Sequence, residues 1–116
     1  MSVPRDPSRS TTEVERRRAP RHATLHTMCQ LFAPEGDPLG SGLVWNISRT
    51  GVSILVGVAL AAGSSVEVEL IGAGGRVRLR VGLRVIHRTE IQTGDFIVGG
   101  QFGRSLEDQE LLPFLA

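Results

Sequence analysis

Between Ser65 and Arg88 the sequence alternates apolar and polar residues with the period of a β-strand. Val66, Val68 and Leu70 alternate with Glu67 and Glu69. After Ile71-Gly72-Ala73-Gly74-Gly75, residues Val77, Leu79, Val81, Leu83 and Val85 alternate with Arg76, Arg78, Arg80 and Arg84. Side chains two apart share one face of a strand, so the stretch reads as a half-buried antiparallel hairpin. A loop over 72–75 would pair Ile71 with Arg76. Glu69 then faces Arg78 and Glu67 faces Arg80, while Leu70 meets Val77 and Val68 meets Leu79. Charges pair on the wet face and apolar groups on the dry one. Gly82 predicts a bend or bulge in the second strand, as barrel closure often needs.

Other segments extend this all-β pattern. Residues 23–32, ATLHTMCQLF, predict a first strand with Leu25, Thr27, Cys29 and Leu31 on one face and His26, Met28, Gln30 and Phe32 on the other. The loop Ala33-Pro34-Glu35-Gly36-Asp37-Pro38 ends it. Leu43-Val44-Trp45 and Val52-Ser53-Ile54-Leu55-Val56 predict two further strands, and Phe96 to Phe102 a last one. Ser105-Leu106-Glu107-Asp108 starts a short helix, with Ser105 as cap, acids in its first turn and Pro113 limiting its length. Leu111, Leu112, Phe114 and Leu115 could cover one opening of a barrel. Fourteen glycines in 116 residues suit a turn-rich β protein of one domain.

Composition narrows the function classes. No apolar run approaches the roughly 20 residues that a membrane-spanning helix needs. The N-terminus is polar and arginine-rich, without an apolar signal segment, so a cytoplasmic location is expected. Cys29 is the only cysteine, which leaves no internal disulfide and no zinc cluster; a small buried residue on a strand is expected there. All thirteen basic residues are arginine. Six of them fall in residues 1–22 against three acids, and seven fall in the remainder against nine acids. The chain reads as a nearly neutral domain behind a basic arm. Residues 1–14 read as a disordered tail. Residues 15–22 read as an extended arm, because Pro20 disfavours helix at Ala19.

Two stretches carry candidate chemistry. In Asn46-Ile47-Ser48-Arg49-Thr50-Gly51, strand alternation predicts Trp45 and Ile47 towards the core and Asn46 and Ser48 together on the opposite surface. Gly51 is expected to adopt a backbone conformation that a side chain would resist. The other stretch is the arginine arm, with Arg17 and Arg21 separated by three residues. Arginine is planar, permanently charged and forked, so it can bond a guanine edge or a phosphate twice and also stack on a base.

Together, Arg17-Arg18-Ala19-Pro20-Arg21 and, about 25 residues later, Asn46-Ile47-Ser48-Arg49-Thr50-Gly51 resemble the two-part signature of the PilZ domain, Arg-x-x-x-Arg then Asp/Asn-x-Ser-x-x-Gly. The resemblance runs from Glu15 to the end. It takes in the hairpin at 66–85, Gly99-Gly100-Gln101-Phe102 and the acidic, leucine-rich terminal helix. It implies a six-stranded antiparallel PilZ-type β-barrel over 23–103, a C-terminal helix over 105–115 and a flexible arginine arm. It also implies a bacterial receptor for cyclic di-GMP. Carried over by position, Arg17 and Arg21 would grip guanine and phosphate, Asn46 and Ser48 would bond the other guanine's edge, and Gly51 would allow close approach. Arg16, just before the motif, points to an intercalated ligand dimer; Arg18 would face solvent or a phosphate. Ligand would order the arm onto the barrel and change a surface read by an effector protein that the sequence does not identify.

An enzyme is not expected, since no paired-carboxylate cleft motif, Gly-x-Ser-x-Gly or phosphate-binding loop is present. His22 and His26 would be about 13 Å apart in an extended chain and suggest no metal. His87, late in a strand, is expected to face inward as a structural histidine. Two rival readings are a PilZ-like adaptor that binds no nucleotide and a β-barrel for single-stranded nucleic acid. Against the latter stand the acidic balance of the barrel, the glutamate partners of Arg78 and Arg80, and a core-facing Trp45.

Overall fold

Alternation decides which faces turn inward along most of seven strands. The computed structural model describes residues 20–24 and 26–115. The strands are β1 (His22–Ala23), β2 (Met28–Phe32), β3 (Pro38–Ile47), β4 (Gly51–Val56), β5 (Ser65–Ile71), β6 (Arg78–Glu90) and β7 (Phe96–Phe102). A one-turn helix, α1 (Asp108–Leu111), runs into a 3-10 turn at Leu112–Phe114. All pairings are antiparallel, in the order β3-β2-β5-β6-β7-β4, and β4 pairs back onto β3 to close a six-stranded barrel. The two residues of β1 extend the sheet at the end of β3, with His22 opposite Ile47 and Ala23 opposite Asn46.

Inward positions fill the barrel. Leu31, Ile47, Val52, Ile54, Val68, Leu70, Val85 and Val98 are all fully buried. Each such side chain contributes about 1.5–3 kcal/mol relative to an exposed one. Leu106, Leu111 and Phe114 close one end of the barrel. Leu112, expected to share that task, is 63% exposed, because the 3-10 turn rotates it away from its neighbours. The helix is capped by Glu107 rather than Ser105: the Glu107 side chain accepts from the N3 backbone, and Glu110 reaches back to the Glu107 N–H. Arg104 forks onto both oxygens of Glu110, at 2.8 and 2.7 Å.

The predicted first strand is shorter than its pattern. Thr24, His26 and Thr27 lie outside the strands, although the Thr24 N–H still donates to the Trp45 carbonyl and the Thr27 carbonyl still accepts from the Val44 N–H, and both threonine side chains also bond backbone. Thr24 Oγ1 donates to the Val44 carbonyl at 2.5 Å, and Thr27 Oγ1 to the Phe114 carbonyl at 3.1 Å. Past that bend the faces are as expected, with Cys29 and Leu31 inside and Met28 and Gln30 outside.

The hairpin of β5 and β6 keeps its predicted faces, but its register differs by two residues. Ile71 pairs with Arg78, Leu70 with Leu79, Glu69 with Arg80 and Glu67 with Gly82. The connection is longer than expected: residues 73–75 form a 3-10 turn, Gly74 and Gly75 lie at φ 77° and 73°, and Gly72 N–H donates to the Val77 carbonyl at 2.8 Å. Only glycine takes two such consecutive conformations readily, so loop geometry rather than charge pairing sets the register. The expected ion pairs still form, now as diagonal neighbours. Arg78 reaches Glu69 at 3.5 Å and Arg80 reaches Glu67 at 2.7 Å. Val77 falls outside the ladder and is exposed.

Besides a register shift at Leu31/Phe32, where β2 meets the start of β3, bulges in β6 and β3 reset the alternation. Gly82 pairs regularly, and the bulge in β6 lies between Val85 and His87 instead. In β3 the register shifts between Val44 and Asn46, making Trp45 the extra residue. Val44 and Ile47 therefore point inward, while Trp45 is 57% exposed rather than in the core.

Candidate functional site

The loop from Asn46 to Gly51 hangs on Ile47, which is buried in the core. Directly after it the chain folds over Ser48. Ser48 N–H donates to the Gly51 carbonyl at 2.9 Å, and Ser48 Oγ accepts the N–H groups of Thr50 and Gly51, each at 3.2 Å. Ser48 is 1% exposed, so Asn46 and Ser48 do not stand side by side on the surface as alternation predicted. The turn inverts the chain immediately after Ile47, which takes the hydroxyl into the turn.

Gly51 is also needed for a reason other than the expected one. Its φ lies outside the left-handed region. A Cβ there would overlap the carbonyl oxygen of Gly100 on β7, so it is the close approach of β4 to β7 that excludes a side chain. Further bonds fix the loop from the C-terminal side. Phe102 N–H donates to the Thr50 carbonyl and Leu106 N–H to the Arg49 carbonyl, both at 2.8 Å, and Arg49 lies 3.6 Å from Asp108.

Asn46 is the part of the loop that remains available. It is half-buried, and its Oδ1 accepts from Arg21 Nη1 at 2.9 Å. Arg16, Arg17 and Arg18 lie outside the described residues. Arg21 thus brings the end of the arginine motif to the loop motif, and the register of β1 on β3 holds them together.

Beside this contact an open groove of about 520 Å³ runs across the outer face of β4, β7 and β6. It is lined by Arg21, Thr50, Gly51, Ile86, His87, Gly99, Gly100 and Gln101. His87 was expected to face inward. The bulge at Ile86 turns it outward instead, and it is exposed over Gly99. Simple periodicity could not show this, because one inserted residue reverses the side on which every later residue falls. The groove offers a guanidinium, an amide at its edge, an imidazole and a floor without bulky groups. Such a surface suits a flat, anionic, hydrogen-bonding ligand.

Cys29 lies on the inner face away from the groove, and burial pushes its thiol up to about 12. Among the described residues no three His, Cys, Asp or Glu side chains gather as a metal site would require. No helix among them is long and apolar enough to cross a membrane.

Known proteins share this architecture. The Bacillus subtilis inhibitor of motility MotI/DgrA superposes over 84% of this chain and 47% of its own, with TM-score 0.63 and 13% identity. The K. pneumonia MrkH–c-di-GMP complex superposes over 84% of this chain and 48% of its own, with TM-score 0.61 and 14% identity. The c-di-GMP-bound PilZ domain of Escherichia coli YcgR covers 85% of this chain and 86% of its own, with TM-score 0.60 and 14% identity. The chain spans about half the length of the first two. No curated protein matches the sequence. The family model described as PilZ domain matches residues 15–114. With that match spanning most of its length, the chain belongs to the PilZ domain family.

Proposed function

We propose that this chain is a receptor for cyclic di-GMP that acts as an adaptor rather than as an enzyme. The observation that carries the reading is the 2.9 Å bond from Arg21 to Asn46 at the edge of the groove, where the two halves of the signature meet. Two of the structures with this fold, MrkH and the YcgR PilZ domain, are complexes with c-di-GMP. The ligand carries two guanines and two phosphates. Arg17 and Arg21 grip guanine and phosphate through forked, charge-assisted bonds, and Asn46 bonds the edge of the other guanine. Gly51 keeps the surface low there. Ser48 contributes by holding the turn, and its hydroxyl reaches a guanine only if the turn opens. Arg16 supports a second, intercalated ligand, and Arg18 contacts a phosphate or solvent.

Ligand orders the rest of the arm of residues 15–22 onto the barrel beside Arg21 and His22, which already contact β3. Fixing each backbone residue costs roughly 1–2 kcal/mol, so several charge-assisted contacts have to offset it. The ordered arm then presents a new surface to an effector protein. This role belongs to the bacterial cytoplasm, where such a second messenger is read.

The exposure of Trp45 removes one argument against single-stranded nucleic acid as ligand. The pairing of Arg78 and Arg80 with Glu69 and Glu67 still counts against it. Calorimetric titration with cyclic di-GMP, GTP and single-stranded oligonucleotides separates the readings. The receptor reading expects saturable heat with cyclic di-GMP alone, at two ligands per chain, abolished by Arg17→Ala or Arg21→Ala. Absence of heat at micromolar protein overturns it in favour of a nucleotide-free adaptor. One ligand per chain overturns the role given to Arg16.

A further inference from the structure

The register of four strand pairs lays out one row across the outside of the barrel. Ala23 lies opposite Asn46, Asn46 opposite Ser53, Ser53 opposite Gly99, and Gly99 opposite His87. Asn46 and His87 are therefore the ends of a strip three strand spacings wide, about 14 Å. Ser53 and Gly99 lie between them and are too small to stand above the sheet. In the neighbouring row Gly51 is equally low, and Gln101 opposite it stands exposed at the side of the groove.

The floor is low at Gly99 for a specific reason. A Cβ built there would collide with Nε2 and Cε1 of the His87 imidazole. The ring therefore lies over Gly99 on β7, where it lines the groove. It does so because the bulge at Ile86 places it opposite Gly99. His87 donates no side-chain hydrogen bond and makes no ion pair among the described residues, and it belongs to neither half of the family signature. The core is already complete without it, since Val85 and Val98 are fully buried at this level of the barrel.

We infer that His87 forms the far wall of the ligand groove and contacts the purine base held away from Asn46. The inference rests on the nucleotide-receptor reading above. A ligand with two bases joined through phosphates, fastened at Arg21 and Asn46, crosses Ser53 and meets the aromatic ring that covers Gly99. The imidazole offers that base a face for stacking and a ring nitrogen for a hydrogen bond. His87 thereby favours a ligand with two bases over a mononucleotide, which fills only the Asn46 end.

Calorimetry of the full chain with cyclic di-GMP and with GMP tests this, using the wild type, His87→Ala and His87→Phe. The expected result is about a tenfold or greater loss of cyclic di-GMP affinity in His87→Ala and partial recovery in His87→Phe. The melting temperature of the free protein should be nearly unchanged in both. Wild-type binding of cyclic di-GMP with His87→Ala within twofold of it overturns this inference and leaves the receptor reading intact. No binding by the wild type overturns both. Proton NMR of the wild type gives a second reading, one that does not depend on the affinity of a variant. The His87 ring resonance, assigned by its absence from His87→Phe, should shift on saturation, and a resonance that stays in place overturns the inference.

Discussion

The guanidinium of Arg21 donates to Asn46 Oδ1 at 2.9 Å, joining residues 25 apart in the chain. The bond lies directly beside the β1–β3 pairing, where Ala23 is opposite Asn46. The point at which the arm leaves the barrel is therefore fixed next to the loop before any ligand arrives. Pro20, Arg21 and His22 are thus placed without a ligand, so fixing them is no part of the entropy that a ligand must overcome.

Asn46 and Ser48 should separate in their effects, although one motif contains both. Asn46→Ala removes an exposed bond and should alter stability by no more than about 0.5 kcal/mol while weakening cyclic di-GMP binding by about tenfold or more. Ser48→Ala leaves the Thr50 and Gly51 N–H groups without their buried acceptor. It should cost about 1–3 kcal/mol. Urea denaturation beside calorimetry checks the pair. Equal losses of stability would refute the distinction.

Gly51→Ala should destabilise the barrel by about 2 kcal/mol or more, because its Cβ meets a backbone oxygen on β7 that cannot move aside. Gly82→Ala, at a position where a Cβ meets nothing within 4 Å, should leave stability within about 0.5 kcal/mol. Thermal melts of the two variants should differ accordingly.

Cys29 should resist thiol reagents in the folded protein at pH 8 and react fully in urea. Burial raises its pKa from 9.0 to about 12, so the neutral thiol is the favoured folded form. A folded pKa above the unfolded one contributes stability that is complete below pH 9 and lost as pH rises towards 12. Rapid labelling of the native protein would contradict the placement of Cys29 in the core.

The bonds from Arg104 and from the Glu107 backbone hold the Glu110 carboxyl down at about 2 from an ordinary 4.5. A lowered folded pKa contributes stability that is complete above pH 4.5 and lost as pH falls towards 2. Glu110→Gln should therefore be less stable than the wild type at pH 7, and the difference should shrink across that window. Denaturation midpoints at pH 7 and pH 2.5 provide the check.

Much of the fold is legible in residue order because strand alternation is a local property. Val66, Val68 and Leu70 face inward whatever register their hairpin takes, since the register differs from the expected one by two residues and the period is two. Phe96–Phe102 forms the last strand as its composition predicts. The Arg-x-x-x-Arg and Asn-x-Ser-x-x-Gly patterns are equally readable, and they suffice to bring Arg21 and Asn46 into one expectation. Alternation places Trp45 and His87 on the wrong side for the same reason. Each follows a plain alternating run, and in each case a bulge inserts one residue that no local preference announces.

By itself, then, the sequence determines the strands, their apolar faces and the residue types of a two-part anionic-ligand motif, because these depend on neighbours two to five positions away. Tertiary structure decides the rest. Closure of β4 onto β3 and β7 makes Gly51 a contact between strands, draws Ser48 into the turn, and turns Trp45 outward. It also brings His87 to the groove that Arg21 lines beside Asn46, across residues more than 30 positions distant in the chain. Those relationships depend on pairing partners and bulge positions, which exist only once the barrel has closed.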